Sequence, residues 1–286
     1  MTLGKGELHS DRTVLPISSE PKVSVVIPAK NEAQNLPQVF ANLPAGNYEV
    51  ILVDGSSTDG TVEVTKQSRP DITVIDQTRK GKGNALACGF AVATGDFIVM
   101  LDADGSTDPA EISRFVDVLK EGADFANGSR FMQGGGTSDI SRIRQYGNYW
   151  LNKMVNLLYG TRYTDLCYGY NAFRRDCLNA MALEAGEVEG ADESTMLWGD
   201  GFEVETLINV RIAKAGLRVV EVPSFERERC FGRSNLNAFS DGIRVLRTIH
   251  AERKLGTRKS ARTSANMQHE ECGSWSLLTT VADEAS

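Results

Sequence analysis

The chain is poor in the residues that build metal cages and disulfide frameworks. Its five cysteines, Cys88, Cys167, Cys177, Cys230 and Cys272, include no Cys-x-x-Cys pair, and only three histidines accompany them. This excludes a zinc centre or a stapled secreted scaffold and leaves reduced thiols as the expected state. Long hydrophobic runs are absent too. No stretch approaches the roughly 20 apolar residues that span a bilayer, and residues 1–21 hold charges but no apolar signal core. The expectation is a cytoplasmic protein. Net positive charge is also lacking: a formal charge of −7 argues against nucleic acid, which calls for a basic domain or a basic stripe with aromatics. Two nucleotide signatures are missing as well. No Gly-x-Gly-x-x-Gly opens a helix after the first strand, and no Gly-Lys-Ser or Gly-Lys-Thr stands at P-loop spacing, so dehydrogenase and kinase readings fall.

What is present describes a globular enzyme. With 286 residues, 41% hydrophobic and 24% charged, the chain can bury a full core. Apolar runs predict strands near 23–27, 49–53, 72–76, 97–101 and 124–128, alternating with helices near 33–43, 60–68, 84–93 and 109–120. This βαβα order implies an α/β fold with a mostly parallel, helix-covered sheet. Gly134-Gly135-Gly136 then reads as a loop free to move. A long helix follows, Tyr146 through Tyr159, with Tyr146, Trp150, Met154 and Leu157 or Leu158 on one side and Asn148, Asn152 and Asn156 on another. Core packing accounts for its apolar stripe.

The most informative chemistry lies at 99–106, Val-Met-Leu-Asp-Ala-Asp-Gly-Ser, where an apolar strand stops at two carboxylates, Asp102 and Asp104. Such a pair can present a hard divalent cation to the diphosphate of a nucleotide. A second strand stops at Asp54, whose carboxylate can accept hydrogen bonds from a base edge or ribose hydroxyls, with Pro28, Ala29 and Glu32 as the opposite wall. Asp59 reads as a turn or helix cap. In Lys80-Gly81-Lys82-Gly83-Asn84 the glycines allow close backbone approach before a helix N-terminus, compatible with an anion site at Lys82 or with a solvated basic turn.

These segments carry a family resemblance. Pro28–Glu32, Val53–Thr61, Lys80–Leu86, Ala93-Thr94-Gly95-Asp96 and Asp102-Ala103-Asp104-Gly105 resemble, in order, the nucleotide-sugar domain of inverting family 2 glycosyltransferases. Within that family they are most similar to polyprenyl-phosphate sugar synthases of the dolichyl-phosphate mannosyltransferase type. The resemblance covers about residues 22–237. It implies a GT-A fold, a nucleotide-sugar donor and a Mg2+ or Mn2+ ion on Asp102, Asp104 and Ser106, the last replacing a more usual amide. It implies donor contacts from Pro28, Ala29, Glu32, Asp54, Lys82, Asp102, Ala103 and Arg233. Asp165–Arg175 resembles the family's Asp-x-x-Ser-Gly-Phe-Arg segment with Tyr168 in the serine position. The segment around Gly232-Arg233-Ser234-Asn235 resembles a loop ending Gly-x-Ser-Lys, so Arg229 or Arg233 would take the place of its lysine against the diphosphate.

The acceptor side stays open between two readings. A lipid phosphate would fall to Arg130, Arg142 and Arg144, whose guanidinium forks suit phosphate oxygens. A glycan or other hydroxyl needs a base, for which Asp200 stands ready just before a helix, although a capping box with Glu203 explains the same residue. Beyond 237, Phe239, Ile243, Leu246 and Ile249 recur at helical spacing among Arg244, Arg247, Arg253 and Lys254. That pattern admits peripheral contact with the cytoplasmic face of a membrane, or a helix packed on the body with a solvated basic face. The expected organisation is a flexible leader over 1–21, a catalytic domain over 22–237, an amphipathic helix over 238–254 and a disordered tail over 255–286. The rival to a transferase is a nucleotide-sugar-binding module without turnover, or a nucleotidyltransferase, for which the first turn lacks the glycines.

Overall fold

The computed structural model describes residues 20–192, 194–232 and 241–255. The expectations for residues 1–19, for Arg233, Asn235 and Phe239, and for the tail beyond 255 lie outside the described residues.

Six of the seven strands of the larger sheet run in one direction, and its central strands are apolar on both faces. In β1 (Val23–Ala29) every residue but Pro28 is buried, as required of a strand covered by helices on both sides. It pairs in parallel with β2 (Tyr48–Asp54) and β4 (Phe97–Met100). Outside β2 lies β3 (Thr73–Asp76). Beyond β4 come β7 (Asn171–Arg174), β5 (Phe125–Ser129) and β8 (Val219–Pro223), giving the order β3-β2-β1-β4-β7-β5-β8. β7 runs antiparallel to both neighbours. It is four residues long, Asn-Ala-Phe-Arg, and carries no run of apolar residues.

Helices α1 (Leu36–Ala41), α2 (Thr61–Ser68), α3 (Lys82–Val92) and α4 (Ile112–Lys120) occupy the expected places, α1 starting later than the pattern implied. α4 buries Ile112, Phe115, Val116 and Leu119 on one sheet face. α3 is buried from Gly83 to Phe90, and with α6 (Cys177–Met181) and α7 (Val204–Lys214) it covers the other.

Three expectations are corrected. The loop at 134–136 is tied down: β6 (Gly136–Thr137) pairs with β9 (Phe225–Glu226), and the Gly136 amide donates to Ser224 O. Helix α5 (Arg142–Tyr159) starts four residues before Tyr146, with the Ser141 hydroxyl accepting from the Arg144 amide; Met154 and Leu158 pack on the body as expected, but the first half of the expected apolar side does not. Asn148 and Asn152 are buried, while Tyr146 and Trp150 are exposed. The cause is the irregular segment 161–166, whose backbone needs partners. Asn152 donates to Thr164 O (2.6 Å) and accepts from Leu166 N (2.8 Å), and Asn156 pairs likewise with Tyr163 at 2.8 Å each way. A side-chain amide offers both donor and acceptor, which an apolar stripe cannot do. Lastly, helix α8 (241–255) lies against the body, with Val245, Thr248, Ile249 and Glu252 inward. Glu252 bonds Arg211 and Lys214 of α7. Ile243 and Leu246, expected with Ile249 in one stripe, point outward.

Candidate active site

Asp102 and Asp104 lie just past the end of β4, beside the ends of β1 and β2, where an open parallel sheet leaves its crevice. The Asp104 carboxylate accepts from the Ser106 amide (3.0 Å) and meets the Arg229 guanidinium at 3.0 Å. Asp102 meets Lys82 Nζ at 2.7 Å, and the same ammonium reaches Glu205 of α7 at 2.9 Å. Burial opposes the Lys82 charge, but Asp102 and Glu205 outweigh it and hold its pKa above the ordinary lysine value. Burial raises the Glu205 pKa, only partly offset by Lys82. This packing requires Gly169. A Cβ there would lie 2.7 Å from Lys82 Nζ and 3.2 Å from Glu205 Oε1.

Two chambers meet at this floor. The first, about 530 Å³, is walled by Pro28, Ala29 and Glu32 on one side and by Gln77, Lys80 and Lys82 on another. Burial raises the Glu32 carboxyl above its usual pKa, against the hydrogen bond from Asn35. Met196, Phe202 and Arg244 complete this chamber. The second, about 250 Å³, shares Lys82, Asp102, Asp104 and Arg229 and runs between α5 and α8, past Arg144, Asn148 and Tyr168. Ala103 lines the first chamber and Ser106 the second.

Several candidates from the sequence fall elsewhere. Asp54 is buried and does not line the first chamber; Oδ2 accepts from Ser57 N (2.9 Å), and Oδ1 has no hydrogen-bond partner among the described residues. Asp59 serves the turn before α2, whose N-cap is Gly60, accepting from the amides of Thr61 and Ala33. The amides of Lys80 and Gly83 donate to Thr195 O and Asp200 O, so these two backbone groups of the 80–84 turn are held by protein. Its glycines serve that packing: a Cβ on Gly83 would stand 1.9 Å from Gly199 O.

Asp200 is neither a cap nor aimed into a chamber. The residue preceding α7 is Glu203, and Asp200 receives Arg79 Nε at 2.9 Å, Arg79 Nη2 at 3.1 Å and the Leu197 amide at 2.9 Å. Arg130 borders the second chamber, but its guanidinium is taken by Asp165 (2.7 and 3.0 Å) and Glu226 (3.0 Å). Arg144 lines the same chamber with no ion pair among the described residues, and Arg142 is exposed outside it. Sequence reasoning passed over Arg79, Glu205, Phe202 and Arg244. Phe202 and Glu205 follow Asp200 within the same short segment, and only the direction each side chain takes distinguishes them from it.

A parallel sheet whose strand ends carry a carboxylate pair at the junction of two chambers defines a GT-A glycosyltransferase. The comparisons with known proteins agree, and the chain belongs to glycosyl transferase family 2, whose model matches residues 24–181. It is 32% identical over 234 residues to an undecaprenyl-phosphate mannosyltransferase of Micrococcus luteus, covering 79% of this chain and 91% of that protein. It is 32% identical over 223 residues to a polyprenol monophosphomannose synthase of Mycolicibacterium smegmatis, covering 74% and 80%. In fold it is similar to glucosyl-3-phosphoglycerate synthase from Mycobacterium tuberculosis, solved with Mn2+, uridine diphosphate and phosphoglyceric acid. That match has a TM-score of 0.61 at 20% identity, over 82% of this chain and 78% of that one.

Proposed function

We propose that the protein transfers a sugar from a nucleotide sugar to a polyprenyl phosphate, with inversion at the anomeric carbon. One observation carries the reading: the two chambers share Asp102, Asp104, Lys82 and Arg229, so a donor diphosphate in one and an acceptor in the other would meet over the same charges. The first chamber has the volume for a nucleoside and presents Lys80, Lys82, Arg229 and Arg244 to a diphosphate. The second presents Arg144, unpaired among the described residues, to a phosphate head. The relatives named for polyprenyl-phosphate substrates support that acceptor class.

The donor set suits a divalent cation. Among the described residues no group of three or more His, Cys, Asp or Glu side chains forms a metal cage. Mg2+ needs none, since it takes one or two carboxylates and completes its shell with water and substrate phosphates. Asp102 and Asp104 would hold it, with Ser106 beside them, and it would neutralise charge on the leaving diphosphate.

The chemistry is a single in-line displacement. An acceptor phosphate oxygen forms the new bond to C1 while the bond from C1 to the diphosphate oxygen breaks, and the nucleoside diphosphate leaves with the electron pair. The nucleophile carries its charge at neutral pH, since a phosphomonoester has its second pKa near 6, so no protein base is needed. This agrees with an Asp200 committed to Arg79. Lys82 and Arg229 stand where the growing negative charge would lie.

The test is turnover of UDP- and GDP-sugars with polyprenyl phosphate or the matching free polyprenol, with and without Mg2+ or Mn2+. The reading requires product from the phosphate alone. Arg144→Ala should raise the acceptor KM about tenfold or more with the donor KM unchanged. Transfer to the free alcohol, or equal shifts in both KM values, would overturn it.

A further inference from the structure

Glu205 is a buried carboxylate to which the transfer step gives no part. It stands in the first turn of α7, 5% exposed, and its one ion-pair partner among the described residues is Lys82, at 2.9 Å. A carboxylate taken out of water is costly unless an opposite charge answers it, so the pair is a fixed part of the fold. Lys82 opens α3, and its ammonium also meets Asp102 Oδ1 at 2.7 Å. Three elements, α3, α7 and the end of β4, thus meet in one chain of charges, Asp102–Lys82–Glu205. The chain crosses the junction of the chambers: Asp102 and Lys82 line both, Glu205 only the second.

Lys82 faces two demands in the proposed reaction. Asp102 is to hold a divalent cation, yet it already accepts from the ammonium, so cation and lysine compete for one carboxylate. With Asp102 as its only partner, the ammonium would obstruct the cation or, once displaced, wander on a flexible four-carbon stem. Glu205 gives it a second anchor on another helix. We propose that Glu205 is a positioning residue: it draws the Lys82 ammonium away from Asp102, so that this carboxylate can take the cation, and keeps the ammonium at the junction within reach of the departing diphosphate. The task of Lys82 here rests on the transfer reading, and the part of Glu205 on the ion-pair geometry. An ammonium has three donors, so two carboxylate partners leave it one for a phosphate oxygen.

The test is binding of Mn2+ alone to the full chain, followed by the electron paramagnetic resonance of the free ion. In Lys82→Met the competitor is gone, and Mn2+ should bind about fivefold tighter; in Glu205→Gln the ammonium settles on Asp102, and Mn2+ should bind about fivefold more weakly. Because Glu205 acts through Lys82, the double variant should match Lys82→Met. A carboxylate acting only through its own negative charge would give additive effects and return the double variant to near the wild type, which would overturn the proposal. Glu205→Asp keeps the charge but withdraws the carboxylate by one methylene. It should weaken Mn2+ as Glu205→Gln does, and it decides the question if loss of charge at 205 or 82 prevents folding, as circular dichroism would show. Mn2+ binding unchanged in Glu205→Asp would equally overturn the assignment. In turnover, Glu205→Gln should lower kcat about tenfold with the donor KM within about twofold, and should cost nothing further in the Lys82→Met background. Mn2+ binding needs neither donor nor acceptor. If no sugar is transferred but the Mn2+ cycle behaves as stated, the transfer reading falls and the positioning of Lys82 by Glu205 stands.

Discussion

In the proposed reaction Asp200 has a structural part, as the partner of Arg79. The Arg79–Asp200 pair has both side chains nearly fully buried, and the guanidinium also donates to the carbonyls of Glu184 (2.8 Å) and Gly186. Breaking such a pair strands a buried charge, so Asp200→Ala should cost about 3–5 kcal/mol in urea unfolding. In Asp200→Asn, kcat per folded molecule should stay within about tenfold of wild type, whereas loss of a general base would remove about 10²–10⁴-fold. Glu49 offers a pH-dependent counterpart. Burial works against its charge, yet hydrogen bonds from Ser24, Thr94 and Lys22 hold its pKa down at about 2. Because that value lies below the ordinary one of 4.5, its stabilisation is fully present above the unfolded pKa and is lost as pH falls through 4.5 towards 2. Urea midpoints should therefore drop more between pH 6 and pH 3 for wild type than for Glu49→Gln.

Among the elements, α5 presents three different faces. One face ties down the 161–166 segment, another borders the second chamber, and a third stands in solvent. Gly147 sits in its middle, and a Cβ there would meet nothing within 4 Å. Glycine inside a helix costs roughly 0.5–1 kcal/mol relative to alanine, so Gly147→Ala should raise stability by about that amount in thermal unfolding. It should also narrow the chamber and raise the acceptor KM. An unchanged KM would show that the acceptor does not pass this helix. Helix α7 works the other way: buried almost throughout, it brings Glu205 to Lys82 and holds α8 through Arg211 and Lys214.

For the whole molecule, the sheet, α7 and α8 converge on one charged floor, so ligand binding there should stabilise the folded chain. A nucleoside diphosphate with Mg2+ or Mn2+ at about 100 times its Kd should add about 2.7 kcal/mol, or roughly 5–10 °C in Tm. Asp104→Asn should remove most of this shift while leaving the ligand-free Tm within a few degrees, because Asp104 faces the chamber rather than the core. A full shift in the variant would count against a metal at Asp102 and Asp104.

The sequence by itself determined the parallel half of the sheet, the helices that cover it, and the place of Asp102 and Asp104. These are local consequences: apolar runs make buried strands, and residues just past the carboxyl end of a parallel strand fall in the crevice. The order of motifs sufficed for the family as well. Tertiary structure alone decided which neighbouring polar residue faces the cavity. Asp200 and Glu205 belong to one segment, yet the first is claimed by Arg79 and the second reaches Lys82. Arg130 and Arg144 look alike in sequence until Asp165 and Glu226, distant along the chain, take the first and leave the second. The same holds for α5. Its periodicity showed two faces, but the choice between them lay with unpaired backbone groups at 161–166, whose demand for hydrogen bonds outweighed the burial of Tyr146 and Trp150.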